Sequence, residues 1–166
     1  MGNQQRAPDI SGSGRIRAVV VGLGAMGSGI ARLLFEKRGI ELVGAADALE
    51  GKQGRDLGDL LQLGEKTGVT VASLEEVAAQ EADIAIQATT SFVREACPDI
   101  LSLAASGKNV ITIAEEMSYP HVTEPGLAEE MDRKAREQGV TILGTGINPG
   151  FVLDTLLLAL TGPCTR

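Results

Sequence analysis

The chain has 166 residues, enough for one domain with an adequate core and no sign of a second. Its 22 acidic against 15 basic side chains leave a net charge of −7, which argues against nucleic acid and other polyanions, so any phosphate must be held locally by backbone. With no Trp, one Tyr and three Phe the core must be aliphatic, and 21 Gly imply tight turns between short elements, the composition of an α/β protein. Residues 1–14 are polar and lack the apolar stretch of a leader, so they read as a flexible arm ahead of a domain at 15–166. An apolar run over 16–21 then predicts a strand that ends on Gly22-Leu23-Gly24-Ala25-Met26-Gly27. Apolar residues at Met26, Ile30, Leu33 and Leu34 have helical spacing, Gly39 stops that helix, and 40–46 reads as a second strand closing on Asp47, twenty residues beyond Gly27.

Strand, glycine turn, helix, strand and acid at that distance make the layout of a dinucleotide-binding βαβ unit. Gly22 permits the sharp turn, Gly24 has no Cβ to hold a pyrophosphate off the backbone, and Gly27 lets helix and strand approach closely. Amides of the first helical turn, including those of Ala25 and Met26, would face the phosphates with the helix dipole behind them. Asp47 would accept the adenosine ribose hydroxyls and repel a 2′-phosphate, whereas Lys52 and Arg55 just downstream would offset that repulsion, so both NAD and NADP stay open. Flavin or S-adenosylmethionine, which use related turns, and a fold with no nucleotide are the alternatives.

Residues 48–68 are glycine-rich, but Leu57, Leu60, Leu61 and Leu63 give an apolar side and predict a short, imperfect helix. A short strand at 69–71 follows, then a helix over 74–80 with Ser73 as N-cap and Glu76 completing a capping box. The almost wholly apolar run 83–88 predicts a strand covered on both faces, ending on Thr89-Thr90-Ser91. Ligands of open α/β sheets sit beyond the carboxyl ends of the strands, so these three residues are placed beside the nicotinamide ribose; Ser91 also suits a helix cap. The next helix keeps its spacing from Val93 to Ala104, although Pro98 should kink or split it. A fifth strand is predicted at 109–114, a helix capped by Thr123 with Pro125 in its first turn, and a sixth strand at 140–143. Asn148 as N-cap and Pro149 at the first helical position would open a last, apolar helix containing Asp154. The resulting fold class is α/β, a doubly wound Rossmann fold with a six-stranded parallel sheet in the order 3-2-1-4-5-6.

Cys97 and Cys164 lie in unrelated segments without CxxC spacing or nearby His, so no metal site is expected. The longest apolar run, 151–160, contains Asp154 and is too short to span a bilayer, which points to a cytoplasmic protein without a membrane partner.

Four stretches carry a resemblance: GLGAMG at 22–27, QATTS at 87–91, AEEMSYP at 114–120 and GTGINPGFVLDTLLLALTG at 144–162. They resemble the 2,4-diaminopentanoate dehydrogenase family and, more broadly, the N-terminal domain of dihydrodipicolinate reductase-type enzymes. The resemblance implies an NAD- or NADP-dependent oxidoreductase acting on a CH–NH2 group, in which hydride leaves the carbon bearing the 4-amino group and water hydrolyses the imine to 2-amino-4-oxopentanoate and ammonia. It assigns Gly22, Gly24, Ala25, Met26 and Gly27 to the pyrophosphate, Asp47 to the ribose, and Thr89, Thr90 and Ser91 to the nicotinamide side. Glu115 and Glu116 are the catalytic candidates, because a carboxylate at a strand end can anchor an ammonium or take its proton; the plainer reading of the pair is one solvated and one capping residue. Asn148 and Asp154 are substrate candidates, with the helix cap as the plainer role for Asn148, and His121 reads as a turn residue.

Enzymes of this family continue into a second domain that supplies much of the pocket for the small amino-acid substrate and the homo-oligomer interface. The chain is therefore expected to be a fragment that lacks that domain and binds cofactor without turning over substrate. A dihydrodipicolinate reductase-like or other reductase and a non-catalytic dinucleotide-binding module are the alternatives, and the absence of an SGNxS-type lysine-bearing loop counts against the reductase.

Overall fold

The computed structural model describes residues 14–164, so the expected arm at 1–14 lies almost wholly outside the described residues. Six strands are present: β1 (Ile16–Val21), β2 (Ile40–Ala46), β3 (Val71–Ala72), β4 (Ile84–Gln87), β5 (Asn109–Thr112) and β6 (Ile142–Gly144). They pair in parallel in the order β3-β2-β1-β4-β5-β6, so the chain reverses its direction of travel across the sheet between β1 and β4, as the expected topology requires. Helices α1 (Ala25–Glu36), α2 (Leu57–Leu61), α3 (Leu74–Ala79), α4 (Val93–Ala105), α5 (Pro120–Thr123), α6 (Pro125–Gln138) and α7 (Leu157–Thr161) connect and flank them.

Alternation along β1 feeds both faces of the sheet. Val19 and Val21 join Ala96, Ile100 and Leu103 of α4 in one core, while Ala18 and Val20 join Ala31 and Leu34 of α1 in the other. Local chemistry sets the ends of the elements. Ser73 Oγ accepts the Glu76 amide at 3.2 Å and Glu76 returns the bond to the Ser73 amide at 2.9 Å, the predicted capping box. Gly139 closes α6 at φ +66°, a left-handed cap suited to glycine. No helix among the described residues is long and apolar enough to cross a membrane.

Five local expectations are corrected. The third strand starts at Val71 rather than at 69, because the Val69 carbonyl accepts the Leu57 amide and Thr70 bridges to Asp56, which drafts both into the start of α2. The sixth strand starts at Ile142, since the Val140 amide is still bonded to the Ala135 carbonyl at the exit of α6. Pro98 does not split α4: the buried face through Val93, Ala96, Cys97 and Ile100 is continuous, and packing of that face outweighs one missing hydrogen bond. Thr123 is the last residue of α5 rather than a cap, and Glu124 precedes Pro125 without a side-chain cap. Gly146, not Asn148, begins the last helical stretch, which is a wide π-helical turn over Ile147–Leu156. The Phe151 amide there reaches the Gly146 carbonyl five residues back at 3.0 Å, and Asn148 lies inside the stretch.

Candidate functional site

The turn between β1 and α1 is built by close approach. Gly22 sits at φ +90°, and a Cβ there would lie 2.7 Å from the Ala88 carbonyl oxygen. At Gly27 a Cβ would come within 1.7 Å of the Gly22 carbonyl oxygen, so only glycine lets α1 lean on the turn. Gly24 differs: a Cβ there meets nothing within 4 Å and would project into open space. Gly24 is also the N-cap of α1 and offers no side-chain cap, and the first bond of the helix runs from Ser28 to Gly24. The amides of Ala25, Met26 and Gly27 therefore precede any intrahelical bond and favour an anion.

Asp47 ends β2 beside this turn, and the structure gives it a task that spacing alone does not show. Its Oδ2 accepts the Leu23 amide at 2.8 Å and Lys52 Nζ at 2.8 Å, and its Oδ1 accepts the Leu49 amide at 2.9 Å. Lys52 Nζ also donates to the Leu23 carbonyl at 2.9 Å. The pair thus pins both polar groups of Leu23, and Asp47 keeps an acceptor position on Oδ1. Burial pushes the Asp47 carboxyl up, but the bonds from Lys52, Leu49 and Leu23 outweigh it and hold the group below the usual carboxylate value. Of the two cations expected near Asp47, Lys52 reaches it, and Arg55 is exposed and forms no ion pair among the described residues.

Beyond β4, two consecutive hydroxyls donate to different carboxylates, Thr89 to Asp99 and Thr90 to Glu95, and the next hydroxyl, that of Ser91, acts on the Glu115 carboxyl. Each is left with acceptor lone pairs. Ser91 is not the cap of α4. The cap position is Phe92, and the first amide of the helix, that of Val93, is taken by Glu116 Oε2 at 2.9 Å. The Glu116 amide in turn donates to the Ser91 carbonyl at 3.1 Å. The adjacent glutamates on the short 3-10 turn Glu115–Ser118 are thereby separated by role, Glu116 capping a helix and Glu115 exposed with its carboxylate on Ser91. The Ser91 hydroxyl, and then the Glu115 amide itself, hold that carboxyl below its ordinary value against a small opposing effect of burial.

These residues line one crevice. Gly24, Ala25 and Met26 with Thr89, Thr90, Ser91, Ile113 and Glu115 enclose about 270 Å³ on one side of the turn. On the other, Gly22, Gly24, Asp47, Leu49, Lys52 and Thr89 enclose about 270 Å³ more. Gly24, Ala88 and Thr89 belong to both halves, so the path runs from Asp47, across bare amides, to Glu115. A family model described as dihydrodipicolinate reductase, N-terminus, matches residues 16–114, the stretch that builds all of this crevice but Glu115. The chain belongs to the dihydrodipicolinate reductase N-terminal family.

Individual relatives sharpen that membership. Over 154 residues the chain is 42% identical to the 2,4-diaminopentanoate dehydrogenase of Acetoanaerobium sticklandii, an alignment covering 90% of this chain and 43% of the relative. Among solved structures, the amine dehydrogenase of Mycobacterium smegmatis superposes with a TM-score of 0.84 at 40% identity, covering 93% of this chain and 46% of that one. GenD2 from gentamicin A biosynthesis, in complex with NAD, gives a TM-score of 0.65 at 25% identity over 97% of this chain and 43% of its own. The chain thus spans less than half the length of these relatives.

The two substrate candidates, Asn148 and Asp154, do not line the crevice, and His121, expected in a turn, lies on the short helix α5. Asn148 and Asp154 are both exposed on the π-helical stretch, with Asp154 Oδ2 accepting the Gly150 amide at 2.6 Å. His121 is exposed on α5, edge-on to Tyr119 at 5.9 Å between ring centroids, and borders a separate cavity of about 620 Å³ with Met117, Asp132 and Arg136. Asp99 and Glu95 were missed by sequence reasoning, because on a helix with an apolar face they read as solvated charges.

Proposed function

We propose that this chain is the NAD- or NADP-binding part of an oxidoreductase that acts on a CH–NH2 group, with 2,4-diaminopentanoate as the substrate of the whole protein. The observation that carries the reading is the continuous crevice, with an acid at one end, uncapped helix amides in the middle and hydroxyls with a carboxylate at the other. A dinucleotide has the matching sequence of ribose hydroxyls, diphosphate and a second riboside. Gly22, Gly24, Ala25, Met26 and Gly27 would hold the diphosphate, Asp47 the adenosine ribose through its remaining acceptor position, and Thr89, Thr90 and Ser91 the nicotinamide half. Lys52 sits where a 2′-phosphate would arrive, which supports use of both NAD and NADP.

Bound NAD(P) supplies a hydride acceptor. Glu115 would then lie at the reacting end, where an exposed carboxylate that the Ser91 hydroxyl holds below its ordinary value suits anchoring an ammonium. Anchoring the amine is the role proposed for Glu115, while Glu116 caps α4. Asn148 and Asp154 would face substrate only through chain of the kind that the relatives carry beyond the aligned stretch, as would a homo-oligomer interface. The compartment that fits this reading is the cytoplasm.

Titration with NAD, NADP and their reduced forms, followed by thermal denaturation, tests the proposal. Ligand at about 100 times its Kd should stabilise the fold by about 2.7 kcal/mol, a rise of several degrees in Tm. No shift with any of the four at millimolar concentration would remove the cofactor and, with it, the proposed reaction.

A further inference from the structure

Three polar side chains are buried among the described residues: Lys108, Gln87 and Thr112. Lys108 is explained locally, since its Nζ donates to the Ala78 carbonyl at the end of α3 and to Ser106 Oγ. Gln87 and Thr112 face each other at the ends of β4 and β5, both fully buried, where a polar pair is costly unless fully bonded. They form a chain that runs toward Asp99. Thr112 Oγ1 donates to Gln87 Oε1 and accepts the Ala114 amide at 3.2 Å. That orients the Gln87 amide, whose Nε2 donates to Thr89 Oγ1, and the Thr89 proton then points to Asp99 Oδ2 at 3.4 Å. Each donor acts toward Asp99, which is the terminal acceptor.

Asp99 stands on α4 at the wall of a cavity of about 280 Å³, near the lower end of ligand-pocket volumes (about 300–1,000 Å³). Val21, Ala46, Ala48 and Leu74 give this cavity apolar walls, and it shares Gly22, Asp47, Ala48 and Thr89 with the Asp47 end of the crevice. A base carried on a ribose at Asp47 would enter it. We infer that Asp99 is a specificity-determining residue for that base, its carboxylate accepting an N–H from the exocyclic amino group of adenine. The inference rests on the dinucleotide reading above. Burial pushes the Asp99 carboxyl up, bonds from Thr89 and Gln87 hold it back, and Glu75 across the cavity adds to the rise. With no ion pair to Asp99 among the described residues, a donor from the ligand relieves a half-buried carboxylate. Glu75 is exposed at the rim and has no such chain behind it.

A base with a carbonyl in place of the amino group would set acceptor against carboxylate. Calorimetric titration of the 166-residue chain with NAD and with nicotinamide hypoxanthine dinucleotide tests this without any substitution. Binding of NAD roughly tenfold or more tighter than the hypoxanthine analogue is expected, the scale of a hydrogen bond to a charged group. Asp99→Asn, whose amide can donate to a carbonyl, should bring the ratio close to one, and Thr89→Val, which removes the hydroxyl that orients Asp99, should narrow it. Equal affinities in the native chain, or an unchanged ratio in Asp99→Asn, overturn the role of Asp99 while leaving the dinucleotide reading in place. Failure to bind either dinucleotide overturns both.

Discussion

Glu115 and Glu116 are neighbours in the chain with opposite assignments, and substitution of each should have opposite consequences. Glu116 Oε2 takes the first amide of α4, a helix of 13 residues whose cap residue, Phe92, offers no acceptor. Losing an acceptor of this kind costs about 0.5–2 kcal/mol, and the negative charge at the helix N-terminus adds about 0.3–1 kcal/mol. Glu116→Ala should therefore lose about 1–3 kcal/mol, and at about 2–4 °C per kcal/mol for a chain of this size Tm should fall by roughly 2–12 °C. Glu116→Gln keeps an acceptor and loses only the charge contribution. Glu115 is exposed, so Glu115→Ala should leave Tm unchanged and instead abolish diamine-dependent reduction of NAD(P) by the whole protein. Urea or thermal denaturation of the single variants, with NAD(P)H affinity as a control, separates the two. If Glu116→Ala unfolds like the native chain while Glu115→Ala is destabilised, the division of roles is wrong.

Gly24→Ala should fold with Tm within a degree or two of the native chain, because its Cβ meets nothing within 4 Å, yet bind NAD much more weakly, because that open space is where the diphosphate would lie. Gly27→Ala should instead lose stability by at least about 1–3 kcal/mol, since its Cβ would stand 1.7 Å from the Gly22 carbonyl oxygen; the two variants compared by thermal denaturation and NADH titration test the roles of both glycines. Asp47→Ala should weaken NAD more than NADP, and equal weakening of both would refute the ribose assignment. The depressed Asp47 carboxyl makes a contribution to stability that is fully present above its unfolded value, near 3.9, and is lost as pH falls through its lower folded value. Acid unfolding of Asp47→Asn followed by circular dichroism should accordingly be less steep below about pH 4 than that of the native chain.

The βαβ unit and the strand order were legible because each rests on near neighbours in sequence. The change from an apolar run at 16–21 to helical spacing after Gly24 marks a strand-to-helix junction whatever surrounds it, and Ser73 with Glu76 closes its capping box within four residues. What escaped is decided by partners far along the chain. Nothing local distinguishes Glu116 from Glu115, since the amide that separates them belongs to Val93, 23 residues away. Asp47 was placed by its distance from Gly27, but its hold on the Leu23 amide appears only when β2 is laid beside β1. One signal was present and unused: Gln87 is a polar residue ending an otherwise apolar strand, and a buried amide always implies a partner.

The polarity of the crevice follows from these long-range bonds. At its centre the protein offers donors, the amides of Ala25, Met26 and Gly27, which no side chain caps. Toward the Glu115 end it offers acceptors, because the Thr90 hydroxyl donates to Glu95 and keeps a lone pair for a ligand, beside the exposed Glu115 carboxylate. A ligand must then carry anionic oxygens in the middle and hydroxyl or amide N–H donors beyond them, which describes a nicotinamide riboside attached to a diphosphate. The carboxylates of Glu95 and Glu115 add a negative field at the same end, which favours a positively charged nicotinamide ring over a neutral one.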